Sequence, residues 1–161
     1  MTEKTIYPLE ELKYVRLLIP RLIPEYLIEH VKGRTFTPEQ FYIYLESITD
    51  ISDNSSLLYA IYDPENSIVG FMWAIINQLD NTLFINTFSM DKVYWKNGKA
   101  INIAIDILKT LVERYNCPQT LWMTTNPKYY QKHGFKVSKN VAMEYVGVKL
   151  SDEIASTFKR G

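Results

Sequence analysis

The segment Ile68 to Ile76, IVGFMWAII, constrains the fold of this chain more than any other stretch. It is apolar at odd and even positions alike. A strand that is apolar on both faces is covered on both sides. The run is also far shorter than the roughly 20 residues that a membrane-spanning helix needs. We therefore expect it to form a central strand of a sheet.

Further runs with strand character surround this segment. The turn Asp63-Pro64-Glu65-Asn66-Ser67 joins it to the run before it, which predicts an antiparallel pair. In the run that follows it, Thr87 and Ser89 share one face. The predicted strands are Leu57 to Tyr62, Ile68 to Ile76, Thr82 to Val93, Thr120 to Thr125, and a hairpin or paired strands from Val137 onward that contain Ala142 to Val148.

Helical patterns lie before and between these strands. Thr37-Pro38-Glu39-Gln40 combines a Thr cap, a proline at the first helical position and a glutamine that closes a capping box. From Gly98 to Tyr115 apolar residues recur at helical spacing, with charged residues opposite. The predicted helices are two pieces between Pro8 and Gly33 interrupted at Pro20 and Pro24, then Pro38 to about Thr49, Gly98 to Tyr115, and Pro127 to His133.

This order predicts a mixed α/β sheet in one domain spanning residues 1–161. Of the residues, 47% are hydrophobic, which suffices for one core. Lys plus Arg equal Asp plus Glu at 18 each, so no global field attracts nucleic acid or an anionic membrane. One cysteine and two histidines leave no metal site. With no signal peptide at Met1, we expect a soluble cytoplasmic protein.

Two local motifs carry a family resemblance. Tyr130-Gln131-Lys132-His133-Gly134-Phe135 has a Tyr, three residues and then Gly-Phe, and Met143-Glu144-Tyr145 follows as a closing strand. The strand, loop and helix from Thr82 to Tyr115 form the second motif. Together they resemble the GCN5-related N-acetyltransferase (GNAT) superfamily. The resemblance implies a mostly antiparallel central sheet flanked by helices, and acetyl-coenzyme A as cosubstrate without a metal.

The loop before the long helix is the candidate phosphate site. A helix N-terminus directs backbone amides and a positive dipole end at an anion. The cofactor-binding candidates here are Lys96, Asn97, Gly98, Lys99 and Ala100. Such loops also begin many ordinary helices. In this loop the family usually has Arg or Gln, two residues, Gly, one residue, and then Gly or Ala. If Gly98 and Ala100 take the last two places, Trp95 stands where Arg or Gln is expected. In a shifted register, Ala100 and Asn102 replace glycines.

The resemblance implies roles for other residues. The strand that splays from its neighbour would pair with the pantetheine arm through Phe88, Ser89, Met90, Asp91, Lys92 and Val93; alternatively it is an ordinary strand. Asn126 would contact the same arm. Tyr130 would protonate the departing thiolate as general acid, for which its hydroxyl must reach the sulfur; the alternative is an aromatic anchor.

No residue stands out as a general base. His133 is expected to cap a helix end, and His30 to lie at the surface. The aromatic region from Pro24 to Phe41 and just beyond is either an acceptor pocket or core. The predicted function is acetyl transfer from acetyl-coenzyme A to an amine of unknown identity by direct attack. The alternative is a catalytically weak or inactive binding or structural module of this fold in a larger assembly. A homodimer through the C-terminal strands is possible in either case.

Overall fold

The protein was analysed as a computed structural model, which describes residues 4–31, 33–124, 126–139, 143 and 145. Within these residues, five strands form one sheet in the order β1-β2-β3-β4-β5. The strands are β1 (Lys13–Arg16), β2 (Ser56–Tyr62), β3 (Ile68–Ile76), β4 (Leu83–Met90) and β5 (Thr120–Trp122). The helices are α1 (Glu25–Glu29), α2 (Pro38–Ile48), α3 (Lys99–Tyr115) and α4 (Pro127–Gln131). Single 3-10 turns occur at Leu9–Glu11, Pro20–Leu22, Lys92–Tyr94 and Lys96–Gly98.

The central strand is β3, as its two apolar faces predict. Strands β1 to β4 pair antiparallel, and β5 pairs parallel with β4. Phe71 and Trp73 point into the core beneath α1 and α2, whereas Met72 and Ala74 point into the core beneath α3. A mixed, mostly antiparallel sheet with helices on both faces is therefore confirmed.

Each face of the sheet buries a separate apolar cluster. The apolar stripe of α3 packs on one face, as its helical spacing predicts. The α3 cluster includes Leu57, Tyr59, Met72, Leu83, Ile85, Ile101, Ala104, Leu108 and Leu111. The cluster beneath α1 and α2 includes Leu27, Ile28, Phe41, Leu45, Leu58, Ala60, Phe71 and Trp73. Two polar residues of β4, Thr87 and Ser89, lie opposite Trp73 and Phe71 and so face this second cluster.

The capping box at the start of α2 is present as predicted. Gln40 N donates to Thr37 Oγ1 at 3.1 Å, and Thr37 N donates to Gln40 Oε1 at 2.8 Å. Pro38 occupies the first turn, where its missing amide proton has no intrahelical role. These residues start the helix locally, before any tertiary contact is considered.

The prediction of helices between Pro8 and Gly33 is wrong in part. Lys13–Arg16 forms strand β1, which pairs with β2 from Lys13↔Tyr62 to Arg16↔Tyr59. Pro20 lies in a 3-10 turn and Pro24 caps the five-residue α1. A helix through this region would lose the hydrogen bond that each proline cannot donate. Instead, backbone groups of β1 form hydrogen bonds with the edge of β2. This pairing could not be predicted from the spacing of residues within the segment, because β2 lies about 40 residues later in the chain.

The C-terminal predictions are met only in part by the described residues. Helix α4 is shorter than predicted and is followed by Gly134 with φ +96°, a conformation that favours glycine. Val137 lies outside any strand. The predicted strand from Ala142 to Val148 lies outside the described residues, apart from Met143 and Tyr145, which belong to no strand. Among the helices described, none is long and apolar enough to cross a membrane.

Candidate functional site

Strand β4 has one free edge at its carboxyl half. It pairs with β3 along its length, but its pairing with β5 covers only Leu83 to Ile85. From Asn86 to Met90, no strand in the described ranges pairs with that second edge. Strands β4 and β5 thus form a wedge, closed at Ile85 and Trp122 and open toward Met90.

A β-bulge lies where the wedge begins. Thr87 is opposite Trp73 and Ile85 is opposite Ala74, so Asn86 is an extra residue in β4. The bulge reverses the alternation of the strand: Ile85 before it and Phe88 after it both face the α3 cluster. A bulge re-aims side chains and ends regular pairing, which is what happens here at Asn86.

The register identifies which backbone groups face the free edge. Asp91 N donates to Val69 O at 2.8 Å, so Asp91 is a hydrogen-bonded pair with β3. Because such pairs alternate in an antiparallel ladder, Ser89 and Thr87 also direct their backbone groups to β3. Phe88 and Met90 direct theirs to the free edge. Of the predicted pantetheine contacts, these two present backbone groups to the wedge.

Ser89 does not share that edge, and its hydroxyl is used elsewhere. The side chain is buried, and Oγ donates to Leu27 O in α1 at 2.5 Å. Its polarity in an otherwise apolar strand is therefore explained by a contact between β4 and α1.

Met90 packs closely against Gly70 of the central strand β3. A Cβ on Gly70 would collide with Met90 Sδ and would lie 2.8 Å from Ser89 O. Glycine is thus required in β3 opposite Met90, which explains the one interruption in IVGFMWAII. The Met90 carbonyl accepts a hydrogen bond from Trp95 Nε1 at 2.9 Å. The indole of Trp95 therefore occupies one of the acceptors at the open end of the wedge.

The predicted phosphate loop connects β4 to α3 at that open end. Asp91 caps the turn Lys92–Tyr94, in which Val93 is half-buried. Asn97 and Gly98 have φ of 60° and 69°, and α3 begins directly afterwards at Lys99. The first amides of a helix lack intrahelical partners and attract anions.

The side chains around this loop add positive charge. Lys96 and Lys99 are exposed, as is Asn97, while Ala100 is half-buried in the first turn of α3. The ring of His133 approaches the loop, since a Cβ on Gly98 would lie 3.9 Å from His133 Cε1. His133 was expected only at the end of α4, and the fold brings it to the loop as well.

Tyr130 lies beside the closed end of the wedge. Its ring centroid is 5.3 Å from that of Trp122 and 5.6 Å from that of Phe135. Trp122 in turn lies 5.9 Å from Phe88, between the free edge of β4 and Tyr130. Burial and the adjacent Tyr129 raise the pKa of Tyr130, against a hydrogen bond with Thr124 that lowers it. Its phenol is protonated at neutral pH, the state that a general acid requires.

Asn126 is less closely tied to the wedge. It is exposed at the N-cap position of α4, and its amide donates to Thr124 Oγ1 at 3.0 Å. Its backbone helps to turn the chain from β5 into α4. The predicted contact with a pantetheine arm stays a prediction.

A polar cluster around the buried carboxylate of Asp91 was not predicted. Asp91 is 4% exposed and accepts from Lys4 Nζ at 2.8 Å, Tyr26 Oη at 3.1 Å and Val93 N at 3.2 Å. Burial raises the pKa of this carboxyl, but the hydrogen bonds from Lys4, Val93 and Tyr26 outweigh burial and lower it overall. Asp91 is therefore an ionised anchor for the segment that enters the loop.

His30 is placed differently from expectation. It is half-buried rather than at the surface, with its ring 5.5 Å from the rings of both Tyr26 and Trp95. Its Nδ1 is enclosed and has no hydrogen-bond partner within the described ranges. The aromatic segment around it is mainly core: Phe41 and Tyr42 are buried, and Tyr42 Oη donates to Ile23 O at 2.5 Å.

The bulge at Asn86 and the ring of Trp122 were also missed from the sequence. Asn86 was visible as a polar residue in a strand, but its bulge depends on the register with β3. Trp122 lay in a predicted strand with no sign that it would close a wedge. In the part of the chain that is described, no group of three or more His, Cys, Asp or Glu side chains is arranged to hold a metal ion.

Comparison with solved structures shows which known proteins share this fold. A possible acetyltransferase from Clostridium difficile 630 superposes with a TM-score of 0.64 at 12% identity, over 86% of this chain and 99% of that one. The fold is that of the GNAT acetyltransferases. Glucosamine-6-phosphate N-acetyltransferase from Arabidopsis thaliana matches this GNAT fold with a TM-score of 0.56 at 17% identity, over 84% of this chain and 99% of that one.

A third match has a bound ligand. AAC(6')-Iy in complex with the bisubstrate analogue CoA-S-monomethyl-acetylneamine has a TM-score of 0.61 at 12% identity, over 85% of this chain and 99% of that one. The sequence matches no protein-family model and no curated protein. The shared GNAT fold is thus carried by the structure and not by close sequence similarity.

Proposed function

We propose that this protein is an N-acetyltransferase that uses acetyl-coenzyme A and transfers the acetyl group to an amine. The observation that carries the proposal is the wedge between β4 and β5, with a phosphate-type loop at its open end and Tyr130 beside its closed end. The GNAT fold of the chain and the acetyltransferase names of its structural neighbours support the same reaction.

The coenzyme would be held by backbone and charge. Its diphosphate would lie on the amides that precede and begin α3, with Lys96 and Lys99 as nearby cations. Its pantetheine arm would run along the free edge of β4, where the backbone groups of Phe88 and Met90 point outward. Val93, Asn97, Gly98, Ala100 and Asn126 would complete the contacts, whereas Ser89 would hold β4 to α1 without touching the coenzyme.

Transfer would proceed by direct attack of a neutral amine on the thioester carbonyl. An amide at the free edge, such as that of Met90, would stabilise the developing negative charge on the carbonyl oxygen. The new C–N bond would form and the C–S bond break, with Tyr130 giving its proton to the departing thiolate. The acylated nitrogen would lose a proton to water, and Tyr130 would regain one from solvent, so that the products are a neutral amide and a free thiol. Positioning of the two reactants in the wedge would supply much of the remaining rate enhancement.

The first test is thermal denaturation with acetyl-coenzyme A. Ligand at a hundredfold its dissociation constant should stabilise the fold by roughly 2.7 kcal/mol. For a domain of this size the corresponding rise in Tm is roughly 5–10 °C. Pantetheine alone, which lacks the diphosphate, should give a much smaller shift because it cannot engage the loop. Unchanged Tm at millimolar acetyl-coenzyme A would refute the proposal.

The second test separates Tyr130 from its neighbour. With an amine that supports turnover, Tyr130→Phe should slow thiol release by about 100-fold or more while acetyl-coenzyme A still binds. Tyr129→Phe is the matched control, because Tyr129 is adjacent and 40% exposed. Thiol release can be followed with a disulfide dye, since Cys117 is buried and burial raises the pKa of its thiol. Equal rates for the two variants would remove Tyr130 from catalysis.

A second candidate function is supported by Trp95. Its indole already donates to Met90 O, one of the groups that a pantetheine arm would use. This arrangement favours a GNAT-fold module in which catalysis is reduced or absent and which acts in a larger assembly. Such a module should form a stable complex or oligomer and release no thiol with any amine of a broad panel.

A further inference from the structure

Trp122 stands at the point where the wedge closes. It is the last residue of β5 that pairs with β4, opposite Ile85, and the bulge at Asn86 begins the free edge one residue later. A group that follows the free edge of β4 inward from Met90 therefore meets this tryptophan. The distance along β4 from Met90 to Asn86 is about 13 Å at the usual rise per residue.

The half-buried ring of Trp122 contacts three other aromatic rings. Its centroid lies 5.9 Å from Phe88, 5.3 Å from Tyr130 and 6.0 Å from Phe135. All four rings pack against the α3 cluster, so they lie on the same face of the sheet. An indole constrained in this way cannot swing aside at low cost, because closely packed neighbours fix its rotamer.

The direction in which a coenzyme thioester would lie follows from the proposed function, on which this inference rests. With the diphosphate at the loop before α3, the arm points from the open end of the wedge to its closed end. The acyl group is then the part nearest to Trp122. A rigid apolar wall beyond a thioester leaves room for a short acyl group and excludes a longer one, as pockets discriminate by added methylenes.

We propose that Trp122 is a specificity-determining residue that limits the acyl donor to a short chain. Acetyl-coenzyme A fits in front of the indole, whereas each added methylene must displace a ring that Phe88, Tyr130 and Phe135 hold in place. Smaller side chains at this position open the closed end of the wedge and admit longer acyl groups.

The test measures dissociation constants by calorimetry, which needs no knowledge of the acceptor. The probes are coenzyme A and its acetyl, butyryl and hexanoyl thioesters. Wild type should bind butyryl-coenzyme A about tenfold or more weakly than acetyl-coenzyme A. In the series Trp122→Phe, Trp122→Leu and Trp122→Ala this ratio should fall step by step, with the longest chain accepted best by the smallest residue.

Phe84→Leu is the matched control. Like Trp122, Phe84 lies next to the closed end of the wedge, but on β4, and it is 39% exposed. It pairs with Ile75, which packs on the opposite cluster, so its ring lies on the other face of the sheet. This variant should keep the wild-type preference. Trp122→Leu keeps an apolar side chain in the cluster and serves if Trp122→Ala fails to fold, which circular dichroism will reveal.

The possible failures are distinguishable. If neither coenzyme A nor acetyl-coenzyme A binds wild type, the proposed function and this inference both fall. If acetyl- and butyryl-coenzyme A bind wild type equally, or if a folded Trp122→Leu protein keeps the wild-type ratio, this inference alone is refuted.

Discussion

Replacing Ser89 with alanine tests whether this residue holds the fold together or holds a ligand. Ser89 Oγ donates to Leu27 O at 2.5 Å, and both residues are buried, at 5% and 0% exposure. The bond joins β4 to the last turn of α1. Ser89→Ala removes the donor and leaves the carbonyl of Leu27 enclosed without it.

The expected loss of unfolding free energy follows from the burial of the Leu27 carbonyl. A buried polar group that loses its partner costs about 1–3 kcal/mol. Near the middle of that range, about 2 kcal/mol, the Tm of a domain of this size should fall by about 4–8 °C. Coenzyme A affinity should stay nearly unchanged, because the backbone groups of Ser89 face β3 and not the free edge.

Thr87→Val is the matched control in the same strand and on the same face. Thr87 is also buried, but its hydroxyl donates to Asn86 Oδ1 of an exposed side chain, which water can satisfy after the change. Urea denaturation followed by circular dichroism gives the unfolding free energies, and calorimetry gives the dissociation constants. Equal losses of stability in the two variants, or weakened coenzyme binding confined to Ser89→Ala, would refute the structural role.

Three further changes have defined expected results. Thr37→Ala should lower the unfolding free energy by about 1 kcal/mol, measured by urea denaturation, because the capping box of α2 is lost; no loss would mean that the cap contributes nothing. Gly98→Ala should cost about 1–2 kcal/mol in the same assay because φ at this position is +69°, and a neutral effect would contradict the left-handed conformation. Asp91→Asn should destabilise the protein at neutral pH. Because the folded-state pKa of Asp91 is lowered, its ionised form stabilises the fold above the unfolded value of about 4, and this contribution is lost as pH falls through the folded-state value. The difference in unfolding free energy between wild type and Asp91→Asn should therefore shrink below about pH 4, and a constant difference would contradict the linkage.

The turn before α3, formed by Asn97 and Gly98, was predictable from the sequence only in part. A glycine next to an asparagine before a helical pattern predicts a turn and a helix start, and both residues are in the left-handed region. The sequence did not reveal that His133 would lie near this turn. The packing of α4 brings it there.

The elements that the sequence determined by itself are those whose forces are local or periodic. The capping box at Thr37, the apolar stripe of α3 and the two-sided apolar run of β3 each carry their own information within a few residues. The spacing around Tyr130 and Gly134, together with the strand, loop and helix from Thr82 to Tyr115, suggested the GNAT fold, which the comparison with solved structures confirms.

Features that depend on a partner far along the chain were decided by the tertiary structure. Lys13–Arg16 becomes a strand because β2 offers a free edge, and Ser89 is polar because Leu27 presents a carbonyl. The free edge of β4 exists because β5 ends at Trp122, opposite the residue before the bulge. Hydrogen bonds of this kind are exchanged between segments, so their outcome depends on which segments the fold brings together and not on the order of residues within either one.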